Sequence, residues 1–190
     1  MFIVLFIESP WRVIILIERL IQKIMQPAPI PHNEKERLAA LLELNILDTK
    51  PEERFDSITK EALAKFQVPI VTISIIDSDR EWFKSCQGLD VKHGPRSTSF
   101  CGHVMSSNYI FVIEDTLLDP RFADNPQVTG KPFIRFYAGI ALRNKQRDLP
   151  VGVFCIKDTK PRTFSRQDIA ALMDFATRAE EELNKPVKNT

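Results

Sequence analysis

Phe133-Ile134-Arg135-Phe136-Tyr137-Ala138-Gly139-Ile140-Ala141-Leu142 is the stretch whose alternation decides the fold. In an extended chain successive side chains point to opposite faces. Ile134, Phe136, Ala138, Ile140 and Leu142 then share a wholly apolar face. Phe133, Arg135, Tyr137, Gly139 and Ala141 share the other, with one charge and one phenol. A strand patterned this way packs under helices on one side and looks toward something polar on the other. Segments near 70–76, 80–86, 109–115 and 151–157 carry the same period-two, Ile/Val/Phe-rich signal. The polar run Arg143 to Asp148 reads as a hairpin into the last of these. Upstream, Asn33 with Glu36 forms a capping-box pattern before the stripe Leu38, Leu41, Leu42 and Ile46. Thr49-Lys50-Pro51-Glu52 reads as a second helix start, followed by Phe55, Ile58, Ala62, Leu63 and Phe66. Downstream, Ser165 with Asp168 caps a final helix with the stripe Ile169, Leu172, Met173, Phe175, Ala176 and Ala179. Helices, strands, then a helix predict an α+β fold, with a central antiparallel sheet of about five to six strands.

The 190 residues carry 26 Lys+Arg against 25 Asp+Glu, a net charge of +1. That balance argues against a nucleic-acid surface or a strongly charged membrane surface, both of which need a basic excess. The six glycines are scattered singly, so neither a Walker loop nor a dinucleotide fingerprint can be assembled, and no cofactor is expected. Three cysteines with no CxxC pair predict reduced thiols and a cytoplasmic setting. The three histidines and three cysteines show no converging spacing, and no metal is expected.

Residues 1–25 form an amphipathic N-terminal extension, with Val13, Ile17, Leu20 and Ile24 on one seam. Three readings of it stay open: a dimerisation helix, an interfacial membrane helix, or upstream sequence that is not translated, with the start at Met25. Its charges interrupt any run of about 20 apolar residues, so a membrane span is not expected. Residues 26–32 are a proline-rich linker, 33–185 the folded domain and 186–190 a tail.

Taken in order, several segments resemble the GAF domain family of small-molecule sensors. They are Ile46-Leu47-Asp48-Thr49, Pro51-Glu52-Glu53-Arg54-Phe55-Asp56, Asp79-Arg80-Glu81-Trp82-Phe83-Lys84-Ser85 and Pro95-Arg96. Ser99-Phe100-Cys101-Gly102-His103, Asp119 to Pro126, Ile134 to Gly139, and Phe164-Ser165 with Asp168 complete the set. The resemblance implies a bacterial stand-alone sensor: terminal helices on one face of the sheet, and a ligand pocket with short helices and loops on the other. It implies signal transduction rather than enzymatic activity, with ligand binding coupled to terminal-helix rearrangement or homodimerisation. With Thr190 soon after the last helix, the output is expected in a separate protein such as a kinase or cyclase. Cyclic-nucleotide-binding members carry an Asn-Lys pair after the strand that corresponds to 151–156; here Lys157-Asp158 stands there. Bilin-binding members need a chromophore-motif cysteine, which no cysteine here matches. Members that reduce free methionine sulfoxide supply the alternative, a thiol-dependent reductase using Cys101, although the loop 119–130 lacks their nucleophilic cysteine. A dimerisation scaffold without ligand is a further alternative.

The residues expected around a ligand are Trp82, Lys84, Cys101, His103, Asp115, Arg121, Phe122, Asn125, Arg135 and Tyr137. Cys101 and His103 are also the catalytic candidates, since a nearby base and the start of a short helix over 100–106 both favour a thiolate. Against this, residues two apart on a helix point to different sides. Arg135 suits a ligand carboxylate or phosphate, or an internal salt bridge to Asp115 or Asp119. Arg121, Phe122 and Asn125 belong to the long irregular stretch 119–132, the kind of loop that often lids a site. Trp82 and Lys84 share one side of their strand, as a ligand wall or as cross-strand packing.

Overall fold

A computed structural model describes residues 25–107 and 110–185. The N-terminal extension before Met25 and the tail 186–190 lie outside the described residues. The sheet is built from β1 (Ile70–Ile76), β2 (Arg80–Gln87), β3 (His93–Pro95), β4 (Phe111–Ile113), β5 (Phe136–Asn144) and β6 (Leu149–Asp158). These six strands run in the order β3-β2-β1-β6-β5-β4, antiparallel at each pairing. Around them lie α1 (Glu34–Glu43), α2 (Glu53–Phe66), α3 (Phe100–Val104), α4 (Pro126–Thr129) and α5 (Arg166–Leu183). The expected α+β class and antiparallel sheet are both present, and β3 is added as a short edge. Its His93-Gly94-Pro95 carries no apolar alternation that a sequence reading could use.

The sheet divides two cores. On one face α1, α2, α5 and the α1–α2 connection bury Leu41, Ile46, Phe55, Ile58, Phe66, Leu172, Phe175 and Ala179 against Val71, Ile73, Ile75, Phe136, Ala138, Leu142, Phe154 and Ile156. On the other, α3 and the chain from 113 to 134 form a roof. There Phe100, Cys101, Val104, Phe122, Val128 and Ile134 pack on Ile76, Tyr137, Val153 and Cys155. Ile134 was expected with the helix-side residues, and the structure corrects this. Phe133 sits at φ 60° and the Ile134 N–H is taken by Gln127 O at 2.8 Å, so the strand begins only at Phe136. Tyr137 keeps its predicted side. Its phenol lies back over Gly139, where a Cβ would come within 2.5 Å of the hydroxyl.

The caps divide the same way. Ser165 and Asp168 form the full capping box, and Ser99 Oγ accepts from Gly102 N at the start of α3. Asn33 does not cap with its side chain, because its backbone leaves the extended region that capping requires. Thr49 is diverted too: its hydroxyl donates to Ile46 O and accepts from Lys84 Nζ, and Glu52 takes the cap position. Leu42 and Met173, placed on apolar stripes by spacing, are exposed, while Arg37 and Ala40 are fully buried in α1.

Arg37 explains its own burial. Its guanidinium donates to Ile76 O at 2.7 Å and grips Glu34 in a two-pronged pair, and Arg96 reaches the same carboxylate while donating to Asp77 O. This knot ties α1 to the end of β1 and to the turn that precedes α3. Burial alone would raise the Glu34 pKa, but the hydrogen bonds and charges of Arg37 and Arg96 hold it down at about 2. Folding lowers this pKa, so the stabilisation is present in full above the ordinary value of 4.5 and is lost as pH falls through about 2. Glu34→Gln should therefore reduce stability in urea at neutral pH by about 1–2 kcal/mol, allowing for partial exposure of the carboxylate. The deficit should shrink as wild type and variant are compared at progressively lower pH. A deficit independent of pH would count against the knot.

Candidate functional site

The roof-side face of the sheet is not simply apolar. Its strands alternate Thr72, Ser74 and Ile76 on β1, Glu81 and Phe83 on β2, and Val153, Cys155 and Lys157 on β6 toward the roof, by the register of the ladders. Glu81 and Lys157 are both almost wholly buried, with Nζ and Oε1 3.9 Å apart. Ser99, the α3 cap, donates to the other carboxylate oxygen of Glu81 at 2.5 Å. Glu81 Oε1 has no hydrogen-bond partner among the described residues. Burial alone would raise the carboxyl pKa; the Lys157 ammonium and the Ser99 hydroxyl reverse this and keep Glu81 ionised. Lys157 likewise stays protonated, since the attraction of Glu81 outweighs burial.

Beside this pair the thiols meet. Tyr137 Oη donates to Cys101 Sγ at 3.2 Å, Cys101 Sγ donates to Cys155 Sγ at 3.6 Å, and Thr72 Oγ1 lies 3.1 Å from Cys155. Burial and the neighbouring Cys155 push the Cys101 thiol up. Cys155 goes the other way: burial opposes it, but the Cys101 S–H and the Lys157 ammonium bring it down to about 7. Tyr137 is pushed up by burial and by the adjacent sulfurs.

The ten expected site residues do not converge on one place. Cys101, Phe122 and Tyr137 meet in the roof core, where Phe100 stacks on Phe122 at 4.5 Å and on Tyr137 at 5.2 Å between ring centroids. Asn125 is buried, caps α4 by accepting from Gln127 N, and donates to Thr98 O. His103 turns away from Cys101. Its Nε2 lies 3.1 Å from Gln26 O and its ring meets the edge of Phe122, so it stands too far round α3 to serve the thiol as a base. Burial and the Arg121 charge lower its pKa, despite the Gln26 carbonyl. Trp82 and Lys84 are on the opposite face of the sheet. Lys84 follows Trp82 to the helix side by alternation, and its ammonium reaches Thr49 Oγ1, Lys50 O and Glu52, with the Phe55 ring 5.3 Å away; the bulge after it brings Ser85 to the same side.

Of the remaining three, Asp115 and Arg121 line a groove at the β4 edge, and Arg135 is joined to it only through Asp115. Arg135 makes a two-pronged pair with Asp115 at 3.0 and 2.8 Å, and Arg121 does the same with Asp119 while lying over the Phe111 ring. The groove is open to solvent and offers about 810 Å³ between Val112, Asp115, Leu118, Arg121 and the segment Pro161–Thr163. Such a volume suits a small molecule, for which pockets of about 300–1,000 Å³ are usual.

The proline-rich segment is docked rather than spanning free space. Gln26 N donates to Arg121 O and Ala28 N to Ser97 O. Ala28 is buried against Gly102, where any Cβ would come within 2.5 Å of the Ala28 Cβ. The segment is a strap over α3. Sequence reading missed this contact and also missed the Glu81–Lys157 pair. The signal for the pair was present only in part, as a charge alternating with Phe83 on β2 and one following Val153 and Cys155 on the same side of β6. Among the described residues no group of three or more His, Cys, Asp or Glu is arranged to hold a metal ion, and no helix is long and apolar enough to cross a membrane.

The profile of the GAF domain matches residues 50–183. A cyclic di-GMP phosphodiesterase of Pseudomonas aeruginosa is 40% identical over 153 residues, 80% of this chain. The chain spans about a quarter, 26%, of that relative's length. Two solved structures share the fold. The type II free methionine-R-sulfoxide reductase of Thermoplasma acidophilum has a TM-score of 0.57 at 16% identity, covering 69% of this chain and 90% of that one. The GAF domain of an Acinetobacter phosphoenolpyruvate-protein phosphotransferase has 0.54 at 17% identity, covering 78% and 92%. The expectation of a protein that is not an enzyme is corrected by the Pseudomonas relative, which is named as an enzyme and aligns with most of this chain.

The buried pair makes a sharp prediction. Lys157→Met leaves Glu81 unpaired in a dry site and should cost about 3–5 kcal/mol, as should Glu81→Gln opposite an unpaired ammonium. The double variant should recover much of that loss in a double-mutant cycle read by urea unfolding. Simple additivity would show that the two groups do not interact.

Proposed function

Because the chain belongs to the GAF domain family, we propose that it is the small-molecule-sensing part of a signalling system whose output is cyclic di-GMP hydrolysis. The phosphodiesterase relative supports the output, and the groove supports the sensing. The single observation that carries the reading is the rim of that groove. Asp115 and Arg121, both expected from the sequence, stand there on an apolar floor of Val112, Ile113 and Pro120. A ligand with an anionic or hydrogen-bonding group would meet Arg121, whose pairing to Asp119 holds the guanidinium fork in place. Gln26 bonds to the Arg121 carbonyl. A ligand that favours one arrangement of the 114–121 segment therefore biases the strap that leads into α1, by population shift. Homodimerisation through the terminal helices is the second proposed readout. The reductase reading is not favoured: Cys101 is sealed between α3 and the sheet with its thiol pushed up, the reverse of an activated nucleophile.

Native mass spectrometry of the purified chain reports any retained small molecule and the oligomeric state together. Cyclic AMP, cyclic GMP, cyclic di-GMP and methionine sulfoxide are then added singly as probes in calorimetry and amide exchange. The expected result is a retained mass or a binding probe, with exchange slowed at 114–121 and altered at 26–31. Arg121→Ala should weaken that binding by about tenfold or more, the loss of a charge-assisted contact worth roughly 1.5–3 kcal/mol. No retained molecule and no binding by any probe would leave a scaffold rather than a sensor.

A further inference from the structure

The sensing role leaves two nucleophilic side chains unused. Cys101 on α3 and Cys155 on β6 are free thiols with their sulfurs 3.6 Å apart, although 54 residues separate them in sequence. The third cysteine, Cys86, is half-buried and donates to Leu89 O. Lys157, Glu81, Tyr137, Thr72 and Ser74 are the polar groups around the pair. Tyr137 O–H donates to Cys101 Sγ, and the single Cys101 S–H is in reach of both Cys155 Sγ at 3.6 Å and Ser74 Oγ at 3.7 Å.

We propose that Cys101 and Cys155 are a peroxide-oxidised disulfide site that fastens the roof helix α3 to the central strand β6. The Cys155 thiolate attacks one oxygen of hydrogen peroxide. The O–O bond breaks, water leaves with a proton taken up, and Cys155 becomes a sulfenic acid. The sulfur of Cys101 then attacks the sulfenic sulfur. The S–O bond breaks, a second water departs with the thiol proton, and the S–S bond forms. Two thiols are oxidised by two electrons and one peroxide is reduced to two waters. The Cys101 hydrogen bond and the Lys157 charge, two residues along the same face of β6, favour the Cys155 thiolate that begins the sequence, while burial favours the protonated form of Cys101. Closing the sulfurs to the ~2.05 Å of a bond needs a shift of about 1.5 Å, shared between a five-residue helix and two side-chain rotations.

The test treats the native chain with hydrogen peroxide, denatures it in N-ethylmaleimide and digests it without reductant, with free glutathione in a parallel tube to show the oxidant is active. The expected result is a linked peptide pair containing Cys101 and Cys155, lost on addition of dithiothreitol and formed equally in Cys86→Ser. Recovery of both cysteines as maleimide adducts while glutathione is oxidised would overturn the proposal. So would a link from either cysteine to Cys86, or oxidation of Cys155 to the sulfinic acid with Cys101 still free. Because the decisive reading is made on wild type, a Cys155→Ala variant that fails to fold does not remove the test.

Discussion

An ammonium sealed inside a sheet has to be answered, and the answer organises the roof. Lys157 projects from the penultimate position of β6 into a space closed by α3, and Glu81 on β2 supplies the opposite charge from across β1. At 3.9 Å the pair is held by charge rather than by a hydrogen bond, so the carboxylate needs further donors. Ser99 provides one, and the same hydroxyl accepts from Gly102 N to start α3. A buried ion pair is a poor source of net stability beside apolar packing. What it specifies is position: the helix can begin only where its cap also meets Glu81, and that placement sets Cys101 over Cys155 and His103 over the strap.

The sheet then works as a partition. On the helix side Lys84 is also buried, but it is satisfied at once by Thr49, Lys50 and Glu52 within the α1–α2 connection. Ser85 next to it bonds Asp56 and Thr59 of α2. Polar groups on that face lock helices to strands. Polar groups on the roof face stay clustered, with one carboxylate oxygen unpartnered and two thiols in contact. Loop residues chosen for reach, such as Asn125 and Arg121, are spent largely on internal caps and pairs. The groove at the β4 edge lies beside this cluster and meets it through Ile113, which lines the groove and packs in the roof core.

Period-two patterning placed β1, β5 and β6 and the two faces of the sheet, because the helix-side face is wholly apolar while the roof-side face carries polar members such as Thr72, Ser74, Tyr137 and Lys157. It failed at Ile134, where one left-handed residue rotates the chain and moves a side chain across the sheet. It misplaced Trp82 and Lys84 relative to the roof because facing is relative: alternation shows that two residues share a side, not which side faces which layer. The bulge at Lys84 then breaks the alternation itself. The capping pattern read well at Ser165, whose only side-chain partner among the described residues is its own Asp168, and failed at Thr49, which a lysine on a distant strand claims. Long-range pairing of this kind, like the meeting of Cys101 and Cys155, is invisible to any local window.

The strap gives the domain a mechanical direction. Its bonds to Arg121 and Ser97 lie on the roof, whereas Lys185, following α5, belongs to the helix face. Tension drawn between Gln26 and Lys185 is thus applied across the thickness of the sheet, not along its strands. The strap's few contacts meet that load one after another, like a peeled tape, while the ladders of β1, β5 and β6 would have to be sheared together. A weak tug at the N-terminal side therefore yields at α3 first, uncovering the roof while the sheet beneath keeps its shape.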